Sequence, residues 1–172
     1  IGDEPFAVLF GDDLVDGKVP ALKQLIDVYE KTHSPVIALE KINRKDSRKY
    51  GIVDVVESQK SKVERLHEIK GLVEKPDPKN APSDLAIIGK YIITPEVMDA
   101  LTCAQKGKDG EIRLIEAFRM LVGKIPLYGY EIEGKRYDTG DRLGFLKATV
   151  DYALKRPDLG PELREYLKTL IY

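Results

Sequence analysis

The feature that most constrains this sequence is a short, wholly apolar run, Phe6-Ala-Val-Leu-Phe10, that stops at Gly11-Asp12-Asp13 and is followed by a helical pattern and then a second apolar run, Val36-Ile-Ala-Leu39. A continuous apolar run of this length is the pattern of a strand buried on both faces. Between the runs, Leu22, Leu25, Ile26 and Tyr29 are spaced to share one face of a helix. Strand, helix, strand in this order predicts a βαβ unit, and so a parallel sheet with a right-handed crossover. The 172 residues suffice for one domain with its own core. The expectation is a single α/β domain over residues 1–172, with a terminal helix over 158–172.

The middle of the chain changes character. Tyr50–Val56 and Lys62–His67 are β-like, with a polar stretch, Glu57–Ser61, between them, which predicts a hairpin-like antiparallel insertion. Leu72-Val-Glu-Lys-Pro76 reads as a short strand stopped by proline, which has no ladder donor. Asp77–Ser83, with Pro78 and Pro82, reads as a loop, and Leu85–Ile93 as a strand interrupted by Gly89. Thr94-Pro95-Glu96 opens a helix, with Thr at the cap and Pro at the first helical position. Asp109–Ile112 opens another, with Ile112, Ile115, Phe118 and Leu121 or Val122 as its apolar face. Ile125–Ile132 reads as a strand and Asp141–Leu154 as a helix; Leu163, Tyr166, Leu167 and Leu170 share one side of the terminal helix, expected to pack on the domain or on another subunit. The start, Ile1-Gly-Asp-Glu-Pro5, leads at once into strand and reads as a chain entered in the middle.

Composition excludes some functions. Lys plus Arg is 28 and Asp plus Glu is 29, a net charge of −1, without the strong basic excess of a duplex-binding protein. The apolar runs are too short to span a bilayer, so neither nucleic acid nor membrane is expected as a partner. The single cysteine, Cys103, allows no internal disulfide and fits a reducing, cytoplasmic setting; it is expected to be a small buried hydrophobe. His33 and His67 stand apart and form no metal-ligand pattern. Neither G-x-x-x-x-G-K-[ST] nor G-x-G-x-x-G occurs, so no intact nucleoside-triphosphate loop is expected.

Four clusters carry candidate chemistry. Asp12-Asp13 follows a strand, where ligands of open α/β sheets bind, and paired carboxylates there suit Mg²⁺; the bland alternative is a turn with Asp as a local hydrogen-bonding residue. Gly51, after Tyr50, permits close backbone approach to a ligand, or simply marks a bulge. In Val73-Glu-Lys-Pro76, Glu74 is able to accept hydrogen bonds from sugar hydroxyls and Lys75 to meet a phosphate. Neighbours on a regular strand point to opposite faces, so both reach one site only if the strand ends or twists between them. Otherwise they are a solvated edge pair. In Tyr137-Asp138-Thr139-Gly140 a carboxylate on a Gly turn would complete a metal site, although Asp-x-Gly turns are common.

Taken in order, these segments resemble the sugar-nucleotidyltransferase family, and within it the bacterial uridylyltransferase group. The resemblance rests on Gly2–Leu9, Gly11-Asp-Asp13, Tyr50–Asp54, Val73-Glu-Lys-Pro76, Ala81–Ala86, Gly89-Lys-Tyr91, Gly110-Glu-Ile112 and Gly134–Gly140. It implies a nucleotide-diphospho-sugar transferase (Rossmann-like) fold: a mixed, mostly parallel sheet with flanking helices, here without the family's N-terminal strands. It also implies a reaction, UTP plus glucose 1-phosphate giving UDP-glucose plus pyrophosphate, with Mg²⁺ as cofactor. Under the resemblance, Asp12 and Asp138 hold the metal, Glu74 holds glucose hydroxyls, Lys75 contacts the sugar phosphate and Gly51 gives a backbone contact; Asp12 and Lys75 are the catalytic candidates. It further implies a homo-oligomer.

Two departures bear on specificity. The family commonly has Glu-Ile-Gln-Leu-Thr-Asp-Ala where this chain has Glu111-Ile-Arg-Leu-Ile-Glu-Ala117, and Asn where it has Asp84. A carboxylate at 84 near a phosphorylated sugar repels it unless protonated or paired. The family's Gly-x-Gly-Thr-Arg loop and its base-reading segment normally precede Gly2. The expectation is therefore a partial chain that supplies the sugar-phosphate and metal part of the site and is inactive alone. Two alternatives stay open: a sugar-1-phosphate nucleotidyltransferase using dTTP, ATP or GTP, and a non-catalytic module of the same fold.

Overall fold

The computed structural model describes residues 2–56, 65–106 and 110–170. In chain order the elements are β1 (Phe6–Leu9), β2 (Asp13–Asp16), α1 (Ala21–Thr32), β3 (Val36–Lys41), a 3-10 helix (Arg44–Lys49), β4 (Gly51–Val55), β5 (Leu66–Glu74), β6 (Leu85–Ile93), α2 (Pro95–Cys103), α3 (Leu114–Leu121), β7 (Tyr128–Glu131), β8 (Lys135–Asp138), α4 (Arg142–Lys155) and α5 (Gly160–Thr169). Contacts divide the chain into two compact units, Ile1–Phe10 with Gly17–Gly134, and Gly11–Asp16 with Lys135–Tyr172.

The first unit is built on a six-stranded sheet in the order β1-β6-β3-β7-β5-β4, and β4 meets β6 again where Ile52 lies opposite Ala86. The sheet is mixed, as expected, but its parallel share is small: β3 and β7 run parallel and the other pairs are antiparallel. The cause is β6. Strands β1 and β3 do run in the same direction, but each pairs antiparallel with β6, which lies between them. Its sequence is apolar at nearly every position and it is buried along almost its whole length, as a central strand must be. The strand runs on through Gly89, but its register with β3 shifts there, from Ile37 opposite Tyr91 to Leu39 opposite Ile87, and the Gly89 carbonyl accepts a hydrogen bond from the Phe10 N–H at 2.7 Å.

Strand β1 itself differs from the expectation of burial on both faces. It pairs with β6 at an edge of the described sheet, and Leu9 and Phe10 are each 49% exposed. Helix α1 forms where periodicity places it, but its buried face is Ala21, Gln24, Leu25 and Val28, about one residue round from the expected stripe. Gln24 explains the rotation. Its amide donates to the Val19 and Glu133 carbonyls, both at 2.9 Å, and accepts from the Glu133 N–H at 2.8 Å, so a buried polar group is fully paired. Strand β5 is one nine-residue strand from Leu66, and it absorbs the separate short strand expected at Leu72. Lys62–Glu64 and the polar stretch before them lie outside the described residues.

Helices α2 and α3 cover the sheet with Val97, Ala100, Ile115, Phe118 and Leu121, packed on Ile37, Leu39, Val53, Ile69 and Leu72. Phe118 stacks on Tyr91 at 5.9 Å between centroids. Each fully buried large side chain here is worth about 1.5–3 kcal/mol. Helix α3 begins at Leu114, after an extended Arg113, so Ile112 precedes it and is exposed rather than part of its apolar face. Cys103 closes α2 on an exposed turn, against the expectation of burial.

The second unit holds the antiparallel ribbon β2–β8 with helices α4 and α5. In α4, Asp141 caps the first turn by accepting from the Gly144 N–H at 2.9 Å. On α5, Leu163 and Leu167 are half-buried, whereas Tyr166 and Leu170 stay exposed. Asp151 on α4 receives the Tyr137 hydroxyl at 2.6 Å and also pairs with Lys135, which ties α4 to β8.

Candidate active site

The first candidate region is the end of the β4–β5 hairpin, where Gly51 lies opposite Glu74. Glu74 is the last residue of β5, and Lys75 takes a left-handed backbone conformation, φ 46°. A non-glycine residue there costs about 1–2 kcal/mol, so the surroundings must hold it. The Lys75 N–H donates to the Tyr50 carbonyl at 3.0 Å. The turn breaks the strand alternation between Glu74 and Lys75, and the Lys75 ammonium stands 3.9 Å from the Glu74 carboxylate. The geometry therefore brings together two side chains that a regular strand would send apart.

Gly51 lets three side-chain ends crowd close to the backbone at this corner. A Cβ on Gly51 would lie 3.0 Å from a methyl of Ile115, 3.1 Å from one of Ile87 and 3.3 Å from the Glu74 carboxylate. Ile115 thus forms part of the wall beside Glu74. Glu116 pairs with Arg119 at 2.6 Å, and Arg119 also donates to the Leu72 carbonyl at 2.9 Å, so this acidic side chain serves to anchor α3 on β5. Asp84 pairs with Lys41 at 3.5 Å, which offsets its charge.

The second candidate region is the ribbon in the other unit, where Asp13 lies opposite Asp138. The Asp12-Asp13 pair does not act as one. Asp13 begins β2, is buried, and receives two hydrogen bonds from the Arg136 guanidinium at 2.6 and 3.0 Å. Its side chain and that of Arg136 are each 9% exposed. Arg136 reaches Asp138 as well, at 3.6 Å. Asp12 is exposed, and its carbonyl accepts from both the N–H (2.7 Å) and the hydroxyl (2.8 Å) of Thr139. This closes the turn and sets Asp12 beside Asp138. A Cβ on Gly140 would lie 3.2 Å from the Asp12 carboxylate and 3.3 Å from that of Asp138, so glycine leaves the space between the two carboxylates open. Asp12 and Asp138, both near this glycine, are the residues that could hold a hard divalent ion of the kind that takes one or two carboxylates and keeps waters. Among the described residues no group of three or more His, Cys, Asp or Glu is placed to hold a metal ion.

Three contributors were not visible in sequence: Arg136, the ribbon strands, and Ser47, whose hydroxyl donates to the Pro76 carbonyl at 2.9 Å from full burial. Four-residue strands with charged ends carry too little periodicity to be read. His67 meets Glu131 at 2.7 Å across β5 and β7. Among the described residues no helix is long and apolar enough to cross a membrane.

A mixed sheet flanked by helices, with charged side chains gathered at strand ends, is the architecture of a nucleotide-diphospho-sugar transferase, and solved structures bear this out. A UDP-glucose pyrophosphorylase complexed with UDP-glucose superposes with a TM-score of 0.83 at 37% identity, over 91% of this chain and 59% of the other. A UTP-bound UGPase from Acinetobacter baumannii gives 0.84 at 33% identity, over 99% and 58%. In sequence, the UTP–glucose-1-phosphate uridylyltransferases of Staphylococcus epidermidis and Staphylococcus haemolyticus are 44% and 46% identical over 170 residues, which is 99% of this chain. The chain spans 58% of the length of these curated relatives. The family model for nucleotidyl transferases matches residues 1–155, and the chain belongs to that family.

Proposed function

We propose that this chain contributes the sugar-phosphate and metal parts of a UTP–glucose-1-phosphate uridylyltransferase, which makes UDP-glucose and pyrophosphate from UTP and glucose 1-phosphate. The observation that carries the reading is the Glu74–Lys75 corner, where an anionic acceptor and a cation stand 3.9 Å apart beside a glycine. Glucose 1-phosphate offers the complementary pair, vicinal hydroxyls and a phosphate. The Glu74 carboxylate would accept from sugar hydroxyls, the Lys75 ammonium would neutralise the phosphate, and Gly51 would let the sugar approach the backbone. The sugar-phosphate oxygen attacks the α-phosphorus of UTP in line with departing pyrophosphate. This step depends on orientation and on neutralising the charges brought together. Asp12 and Asp138 would hold Mg²⁺, which when bound supplies charge stabilisation to phosphoryl oxygens. A cytoplasmic, homo-oligomeric enzyme completes the proposal.

The choice of UTP over dTTP, ATP or GTP is supported by the uridylyltransferase relatives and by both UDP-glucose pyrophosphorylase structures. A calorimetric titration tests the reading. Glucose 1-phosphate is expected to bind without UTP, and binding is expected to fall about a hundredfold in Glu74→Ala, as for loss of hydrogen bonds to a charged group. Absence of binding, or binding indifferent to Glu74, would overturn it.

A further inference from the structure

Lys75 poses a question that the sheet alone does not answer: what holds a lysine at φ 46°. The residue before it belongs to a regular ladder, and the proline after it biases Lys75 toward extended backbone, so the positive φ is held by bonds from elsewhere. The hydrogen bonds around it trace to one short segment, the 3-10 helix Arg44–Lys49. The Lys75 N–H donates to the Tyr50 carbonyl at 3.0 Å, and the Tyr50 N–H donates to the Ser47 carbonyl at 3.3 Å. On the other side of Lys75, the Pro76 carbonyl accepts from the Ser47 hydroxyl at 2.9 Å. Ser47 therefore closes a ring that fixes the backbone both before and after the Lys75 Cα.

The rest of the same helix reaches the following loop. Arg44 donates to the carbonyls of Pro78, at 3.0 Å, and of Ala81, and Arg48 pairs with Asp77. The Asn43 side chain caps the helix by accepting from the Lys45 N–H at 3.1 Å. Ser47 is the one of these side chains that is fully buried, at 0% exposure. A buried hydroxyl in contact with a buried carbonyl has no water to replace the bond if it is lost, so its removal acts on the backbone it holds.

We propose that Ser47 is a positioning residue for the sugar-phosphate site: its hydroxyl holds Lys75 in the left-handed conformation that sets the ammonium beside Glu74. The inference rests on the proposed function of the Glu74–Lys75 corner. Ser47 touches no substrate in this account and acts through Lys75. The 3-10 helix is then a brace for the Glu74–Lys75 turn as well as a connection between β3 and β4.

The test is a double-mutant cycle read by calorimetry with glucose 1-phosphate, on the wild type, Ser47→Ala, Lys75→Ala and the double variant. Ser47→Ala is expected to weaken binding about tenfold, the worth of one buried hydrogen bond. In the Lys75→Ala background the same change is expected to cost nothing further, because the group it positions is gone. Ser47→Thr, which keeps the hydroxyl, is expected to bind as wild type. Equal losses in both backgrounds would mean general loosening and would overturn the inference, as would unchanged binding in Ser47→Ala. If Ser47→Ala does not fold, the exposed Arg48→Ala variant tests the brace through its tie to Asp77, with a loss of about threefold expected and unchanged affinity contradicting it. Wild-type protein that fails to bind glucose 1-phosphate would instead remove the site reading on which this rests; binding lost in Glu74→Ala but indifferent to Ser47 would remove this inference alone.

Discussion

The Glu74–Lys75 corner and the Asp12–Asp138 ribbon both gather charge, by opposite means. At the corner the backbone is bent: a lysine sits in a left-handed conformation, and hydrogen bonds from a segment about 28 residues earlier in sequence hold it there. At the ribbon the ladder is regular, and a buried guanidinium balances the charge of Asp13 and reaches Asp138. The difference is one of cost. A strained backbone stores about 1–2 kcal/mol that the unbound protein carries. A buried ion pair offsets its own desolvation only while both partners are present. Relaxing the strained lysine of the corner thus trades stability against binding, whereas breaking the ion pair of the ribbon costs stability outright.

The largest effect that sharpens this contrast is Arg136→Met. It removes the two-bond partner of a carboxylate whose side chain is 9% exposed, and unfolding in denaturant should show a loss of about 3–5 kcal/mol. A midpoint unchanged from wild type would show that the ribbon does not depend on its ion pair. Next, Gly51→Ala places a methyl against Ile115, Ile87 and Glu74, at distances tighter than ordinary contact. Stability should fall by about 1–3 kcal/mol, with weaker glucose 1-phosphate binding in the same variant. Unaltered binding there would separate Gly51 from the site.

Lys75→Gly cuts the other way. Glycine adopts φ 46° freely, so the fold should gain up to about 1 kcal/mol while sugar-phosphate affinity drops. A loss of stability would deny that the corner is strained. The smallest effect concerns Asp151, whose carboxyl is held below its ordinary value of 3.8 first by Lys135 and then by the Tyr137 hydroxyl. A depressed carboxyl stabilises the fold above its ordinary value and loses that contribution as pH falls through the folded value. The stability gap between wild type and Asp151→Asn should therefore be present at pH 6 and shrink below about pH 3.8. A gap that grows in acid would have the wrong sign.

Sequence carried the elements with strong periodicity and the residues of both candidate regions, and it missed what holds them. The strand–helix–strand start, the helix at Pro95 and the Glu74–Lys75 turn were legible because apolar spacing and proline chemistry are local. Insertion of β6 between β1 and β3 was not, since antiparallel pairing across about fifty residues from β3 and more than about eighty from β1 leaves no local mark. Arg136 and Ser47 were invisible for the same reason: Arg136 acts on Asp13 from 123 residues away, and Ser47 on Pro76 from 29. Gln24 turned α1 from its expected face because a buried amide found three backbone partners, which no hydrophobic pattern encodes.

The most direct test of the central claim is a crystal structure of the protein soaked with glucose 1-phosphate. A phosphate is expected within hydrogen-bond reach of the Lys75 ammonium, with sugar hydroxyls on the Glu74 carboxylate and Lys75 still at positive φ. A sugar phosphate bound elsewhere, or a Lys75 relaxed to an extended conformation with the ligand in place, would contradict it.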